Sequence, residues 1–157
     1  MKLSVRKGFS FGLVSGIITT LGMLVGLKSG TNSKIIVIGG IIMIAIADAM
    51  SDSLGMHISE ESSLKNSNKE IWESTFSTFL SKALFALTFI IPVLIFKLDI
   101  AVWVSLIWGF SLIAVFSYYL GKKEKIDPKK VIAEHMIITV IVIICTYIIG
   151  TWISNFL

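Results

Sequence analysis

Five long apolar blocks, separated by short polar segments, dominate the sequence. The blocks cover about residues 8–27, 35–56, 77–96, 100–120 and 133–154. Each is close to the roughly 20 residues that an α-helix needs to cross a bilayer. Charged residues make up 15% of the chain, whereas soluble domains typically contain about 25%. The pattern predicts an all-α integral membrane protein, with residues 1–157 forming a single transmembrane domain of five helices.

The distribution of lysine and arginine predicts the direction of the crossings. With the N-terminus inside, three lysines fall on outer segments, at positions 28, 34 and 97. Ten basic residues fall on inner segments: Lys2, Arg6, Lys7, Lys65, Lys69, Lys122, Lys123, Lys125, Lys129 and Lys130. Because cytoplasmic segments carry the excess of Lys and Arg, we expect a cytoplasmic N-terminus and an external C-terminus. We expect the location to be the cell membrane of a prokaryote.

Two aspartates, Asp48 and Asp52, lie inside the second apolar block. Their spacing of four residues places both carboxylates on one side of a helix. A charge at the bilayer centre costs at least about 2.5–3.5 kcal/mol, so the pair requires a cation, a buried basic partner or a water-filled path. Lys82, in the third block, is the obvious basic partner. The pair is the first candidate functional site.

Further potential ligands follow the aspartates toward residues 57–76, which we expect to form a short cytoplasmic acidic connection. They are Met56, His57, Glu60, Glu61, Glu70 and Glu73. Carboxylates, an imidazole and a thioether form a plausible ligand set for a first-row divalent cation. The alternatives are an ordinary solvated connection for the glutamates, packing for the methionine and an interfacial position for the histidine.

Glycines at positions 8, 12 and 16 recur at four-residue spacing in the first block. Such small residues let two helix backbones approach closely, either between two copies or within one chain. Many transporters are built from paired repeats with the site between them. Five crossings without an evident internal repeat therefore favour a homodimer, with a path on its two-fold axis.

Several segments resemble the vacuolar iron transporter family. FGLVSGIITTLGMLVGL (11–27) looks like its first helix, STFLSKALFALTFIIPVLIF (77–96) like its third, and CTYIIG (145–150) like part of its last. AMSDSLG (49–55) lies where that family has an acidic segment ending the second helix. The resemblance implies a five-helix homodimer that exports Fe²⁺, Mn²⁺ or related ions from the cytoplasm, commonly in exchange for protons.

The resemblance also implies roles for particular residues. The family's first-helix aspartate falls at Ser15, its second-helix methionine ligand at Asp48, and the acid one turn later at Asp52. Ser15 and Thr19 would supply oxygens to the path. The family's cytoplasmic metal-collecting region, here shortened, would comprise Glu60, Glu61, Glu70 and Glu73. The loss of the thioether at position 48 leaves manganese, calcium or another cation open.

Three functions compete. The first is a divalent-cation transporter without enzyme activity or a resident cofactor. Its expected partners are a second copy of the chain, membrane lipids, cations and protons, and no nucleic acid. The second is a non-transporting membrane protein in which Lys82 neutralises the aspartates. The third is a metal-dependent membrane transferase, because an Asp-x-x-x-Asp pair also ends the motif of such enzymes. That motif needs additional Asp-Gly and Ala-Arg elements upstream. This chain has neither, and its single arginine is Arg6.

Overall fold

The structure, a computed structural model, describes residues 2–63 and 66–156, and this part of the chain is helical throughout except for short connections. Five helices are long and apolar enough to cross a membrane: α1 (Leu3–Thr31), α2 (Lys34–Ser62), α3 (Asn68–Ile95), α4 (Leu98–Glu124) and α5 (Pro128–Phe156). The predicted all-α architecture with five helices of membrane-spanning character is confirmed. Lys65, which we counted among the inner charges, lies outside the described residues.

All five helices are longer than the apolar blocks that predicted them. The connection predicted over residues 57–76 is helical up to Ser62 and again from Asn68. Ser67 caps the start of α3, because its hydroxyl accepts from the Glu70 amide at 3.4 Å while the Glu70 carboxylate accepts from the Ser67 amide at 2.9 Å. These reciprocal bonds satisfy amides at the helix start, so α3 begins well before its apolar part.

The middle of α2 is a π-helix over Ile44–Asp48, between α-helical segments at Lys34–Met43 and Ala49–Ser62. The amide of Ala49 donates to the carbonyl of Ile44, five residues earlier. Short π-segments inside α-helices are rare and frequently lie at functional sites. This one ends at Asp48, so the unusual backbone coincides with the first of the two membrane aspartates.

α3 is interrupted at Phe89, between helical segments at Asn68–Thr88 and Ile90–Ile95. The cause lies three residues further along the chain, at Pro92. Proline lacks an amide hydrogen, and its ring conflicts with the carbonyl of the fourth residue before it. That residue is Thr88, where the first segment ends.

Contacts divide the chain into two compact units. The first unit comprises the residues up to Thr20 together with Ile41–Ile90, and the second comprises Leu21–Gly40 together with the chain from Ile91 onward. In the first unit, the part of α2 after its π-segment packs against α3, and in the second unit α4 packs against α5. Both units contain fully buried apolar side chains, among them Ile17 and Ile41 in the first and Leu24 and Ile113 in the second.

Glycines on α1 permit close helix approaches in both units. In the first unit, a Cβ at Gly8 would meet the carbonyl oxygen of Ser74. A Cβ at Gly16 would lie 3.0 Å from the carbonyl oxygen and 3.2 Å from the Cα of Lys82. The later glycines of α1 face α5 in the second unit in the same way. The glycine ladder therefore packs within one chain, which is one of the two interpretations that its spacing allowed.

Replacing Gly12 by valine is expected to destabilise the protein by about 1–3 kcal/mol, as overpacking typically does. The reason is that a Cβ at this position would meet the Ser81 hydroxyl and the Thr78 carbonyl oxygen. Gly55→Val is the matched control, since nothing lies within 4 Å of a Cβ there. Thermal unfolding in detergent measures both variants. Equal unfolding temperatures for the two variants would contradict the close approach.

Candidate functional site

The side chain of Lys82 is completely buried in the first unit, although it carries an ammonium group. Its Nζ lies 2.5 Å from Oδ2 of Asp48 and 2.5 Å from Oδ2 of Asp52. The contact with Asp52 has hydrogen-bond geometry. The contact with Asp48 is an ion contact, and Oδ2 of Asp48 has no hydrogen-bond partner among the described residues. Of the three explanations that the sequence left open, a cation, a basic partner or a water-filled path, the structure shows the basic partner, Lys82.

Ser15 of α1 completes this group, which we call the Lys82 cluster: Ser15, Asp48, Asp52 and Lys82. The Ser15 hydroxyl donates to Oδ2 of Asp52 at 2.6 Å and accepts from Nζ of Lys82 at 3.1 Å. The close approach at Gly16 explains why α1 reaches α3 here. The hydroxyl predicted to supply an oxygen from the first helix therefore does join the aspartates.

Thr19, the other hydroxyl predicted to line a path, lies one turn beyond Ser15. Its hydroxyl donates to the Ser15 carbonyl oxygen at 2.8 Å. Threonine hydroxyls in helices commonly form this bond to the carbonyl four residues earlier. The donor capacity of Thr19 is thus used within α1, while its oxygen lone pairs can still accept or coordinate.

The Lys82 cluster has an unequal charge balance. Two carboxylates face one ammonium, so the cluster carries one surplus negative charge when each group is in its ordinary ionised form. The lysine is fully buried, whereas the side chains of Asp48 and Asp52 are 39% and 24% exposed. A buried ammonium requires such partners, because an unpaired charge away from water is strongly destabilising. Chemically, a cation already lies between the carboxylates, so any other cation has to compete with it.

The geometry of α2 brings both aspartates to the same ammonium. Asp48 ends the π-segment, and Asp52 follows one turn later in regular α-helix. Residues four apart in an α-helix lie on one face, which was the basis for treating the two as a pair. The π-segment itself had no signal in the sequence, because it is defined by a backbone hydrogen bond rather than by a residue pattern.

Two of the predicted acidic ligands near the α2–α3 connection bind lysines of the N-terminal segment. Nζ of Lys7 donates to Oε1 of Glu60 at 3.2 Å, and the side-chain amide of Asn66 donates to Oε2 of the same residue at 2.7 Å. Nζ of Lys2 donates to Oε1 of Glu73 at 2.6 Å. The sequence analysis missed these partners, although opposite charge at the same predicted membrane surface was the available signal.

His57 lies on the part of α2 that packs against α3. Its Nδ1 is hydrogen-bonded to the Thr75 hydroxyl at 3.0 Å, and its ring packs edge-on against Trp72 with centroids 4.7 Å apart. One imidazole nitrogen is therefore engaged. His57 thus has the contacts of a packed, half-buried histidine.

The remaining predicted ligands are separate from the Lys82 cluster. Glu70 caps α3, Glu61 is exposed, and Met56 is half-buried one turn beyond Asp52. Over residues 2–63 and 66–156, no three His, Cys, Asp or Glu side chains gather in a way that could hold a metal ion. The structure therefore brings Asp48 and Asp52 together, and a larger metal-ligand set stays a prediction.

The chain matches no known protein-family model, and no characterised protein is significantly similar to it. Membership of the vacuolar iron transporter family therefore stays a prediction from the sequence.

Removing both aspartates, as Asp48→Asn/Asp52→Asn, is expected to destabilise the protein strongly. Lys82 would then be a buried ammonium without a carboxylate, and breaking a buried pair typically costs about 3–5 kcal/mol. Each single substitution leaves one carboxylate for the ammonium and should preserve the fold. Adding Lys82→Met to the double variant should restore much of the lost stability.

Thermal unfolding of the single, double and triple variants in one detergent measures this series. A double variant as stable as the two single variants would show that Lys82 needs neither aspartate.

Proposed function

We propose that this chain is a membrane cation transporter whose transport site is the Lys82 cluster. The observation that carries the proposal is that two carboxylates contact one buried ammonium within helices of membrane-spanning character. Ionisable side chains inside membrane segments are costly and commonly mark ion pathways or coupling sites. A purely structural role would be served by one carboxylate for one ammonium, whereas here a second carboxylate contacts the same Nζ.

Lys82 acts in this proposal as an internal competitor of the transported ion. Its ammonium lies within 2.5 Å of both carboxylates, so an incoming cation binds only after the lysine side chain moves away. The Ser15 hydroxyl, now bonded to Lys82 and Asp52, then offers an oxygen ligand. Competition of this kind weakens binding. Weak binding suits transport, because an ion that enters must also leave.

We infer that the transported ion is divalent, resembling Fe²⁺ or Mn²⁺. With Lys82 displaced, the two carboxylates balance the charge of one divalent ion. Carboxylate and hydroxyl oxygens suit hard cations such as Mn²⁺, Ca²⁺ and Mg²⁺. The resemblance of residues 11–27 and 77–96 to vacuolar iron transporters supports export from the cytoplasm, with protons as the exchanged ion.

A homodimeric arrangement and the direction of the chain are part of the same proposal. The partial exposure of Asp48 and Asp52 on a single chain is compatible with a path that a second copy would close. The excess of basic residues on one set of segments supports a cytoplasmic N-terminus. On that side, capture of ions by Glu60 or Glu73 would first require the release of Lys7 or Lys2.

The contacts of Lys82 also favour a second candidate, a non-transporting membrane protein. Complete burial and three polar partners are what a permanent structural cluster would show. In that case the lysine and the aspartates serve only to hold α1, α2 and α3 together. The two candidates differ in their response to cations, because only the transporter binds one in place of the ammonium.

Asp48→Asn and Asp52→Asn are each expected to reduce Mn²⁺ flux in proteoliposomes to the rate of protein-free vesicles. Each variant keeps one carboxylate for Lys82, so the fold should survive while the charge needed to bind a divalent ion is lost. Asp127→Asn is the matched control, because Asp127 lies in the α4–α5 connection of the second unit. Wild-type flux through both aspartate variants would refute the site assignment.

A further inference from the structure

The second unit contains a cavity of about 310 Å³ that has no role in the proposed transport site. It lies between the end of α1, the start of α4 and the middle of α5, and most of its lining is apolar. Leu106 and Ile143 represent the apolar walls, and Lys28 and Asp99 form a charged mouth. The cavity is thus amphipathic, with opposite charges at one end and a hydrocarbon-like interior.

Both residues of the charged mouth lie at the end of a helix. Lys28 is in the last turn of α1, and Asp99 is in the first turn of α4. Nζ of Lys28 lies 2.8 Å from Oδ1 of Asp99, and the two side chains are 33% and 74% exposed. Both groups can therefore bind something else without the cost of opening a buried pair.

Aromatic side chains frame the same mouth. Trp103 lies one turn after Asp99 on α4, and Tyr147 of α5 lines the cavity from the other side. Both are largely exposed. Trp and Tyr are enriched where a membrane protein meets the lipid head groups. Helix ends, an exposed ion pair and two aromatic residues are together typical of a membrane surface, which would direct the apolar walls toward the acyl chains.

We propose that this cavity binds a phospholipid whose head group carries both a phosphate and a primary ammonium. The phosphate accepts hydrogen bonds from Lys28, the ammonium donates to Asp99, and an acyl chain lies along the apolar walls. Charge-assisted hydrogen bonds of this kind are stronger than neutral ones. Lipid binding replaces the ion pair between Lys28 and Asp99 with two ion pairs between these residues and the head group.

The charge pattern selects among head groups. A purely anionic head group offers no cation to Asp99 and adds a like charge beside it. A choline head group has the right charges, but its quaternary nitrogen carries no hydrogen to donate to the carboxylate. A primary ammonium beside a phosphate satisfies both protein groups. The apolar walls favour a lipid over a small zwitterion dissolved in water, because they gain most from an acyl chain.

Quenching of Trp103 by brominated lipids tests the proposal. Trp72, Trp108 and Trp152 are replaced by Phe in the full chain, which is reconstituted with brominated phosphatidylethanolamine or brominated phosphatidylcholine. We expect half-quenching at an ethanolamine-lipid fraction about two- to fivefold lower than that of the choline lipid, the range typical of an exposed ion pair. Equal quenching by the two lipids would overturn the proposal.

Asp99→Asn in the same background is expected to abolish this preference, and Lys28→Gln provides an independent second variant of the mouth. Lys97→Gln is the control, because Lys97 is an exposed neighbour that does not line the cavity. The control should keep the full two- to fivefold preference expected of the ion pair. Thermal unfolding identifies which variants are folded. A preference that survives in the folded Asp99→Asn and Lys28→Gln variants would also refute the proposal.

Discussion

The ammonium of Lys82 between two carboxylates is the interaction on which the first unit depends. A fully buried lysine in a membrane helix is unfavourable unless acidic groups reach it, and they come from a different helix, α2. The third partner, Ser15, comes from α1. Three helices therefore meet at one Nζ atom. The glycines of α1 make this possible, because a side chain at Gly16 would press against the backbone of Lys82.

The charge of the Lys82 cluster connects this interaction with the proposed transport function. One ammonium compensates one carboxylate, and a second carboxylate contacts the same Nζ, so the cluster has a surplus negative charge when all three groups are ionised. Partial exposure of Asp48 and Asp52 gives that surplus a route to water or to an ion. The membrane binding step of the proposed transport cycle uses only the groups of this cluster. The lysine moves away, a divalent ion takes its place between the carboxylates, and the lysine returns when the ion leaves.

The sequence predicted the parts of this arrangement that depend on local pattern. The lengths of the apolar blocks predicted five helices, the spacing of Asp48 and Asp52 predicted a common face, and the third block offered Lys82. Whether a cation, a basic partner or water met the aspartates could not be predicted, because that depends on how α2 packs against α3. The lysine partners of Glu60 and Glu73 were missed for the same reason, since both contacts join residues more than 50 positions apart. The extra length of the helices depends on capping residues such as Ser67. The length of an apolar block contains no information about capping.

The central claim is that a cation and the Lys82 ammonium compete for the same two carboxylates. The most direct measurement is the unfolding temperature of wild type and Lys82→Met as a function of Mn²⁺ concentration, since a ligand that binds the folded state stabilises it by mass action. Competition predicts that Lys82→Met is less stable without metal and is stabilised at Mn²⁺ concentrations on the order of tenfold or more below those needed by wild type. An unfolding temperature that does not change with Mn²⁺ in either protein would contradict the account and leave the cluster a structural one.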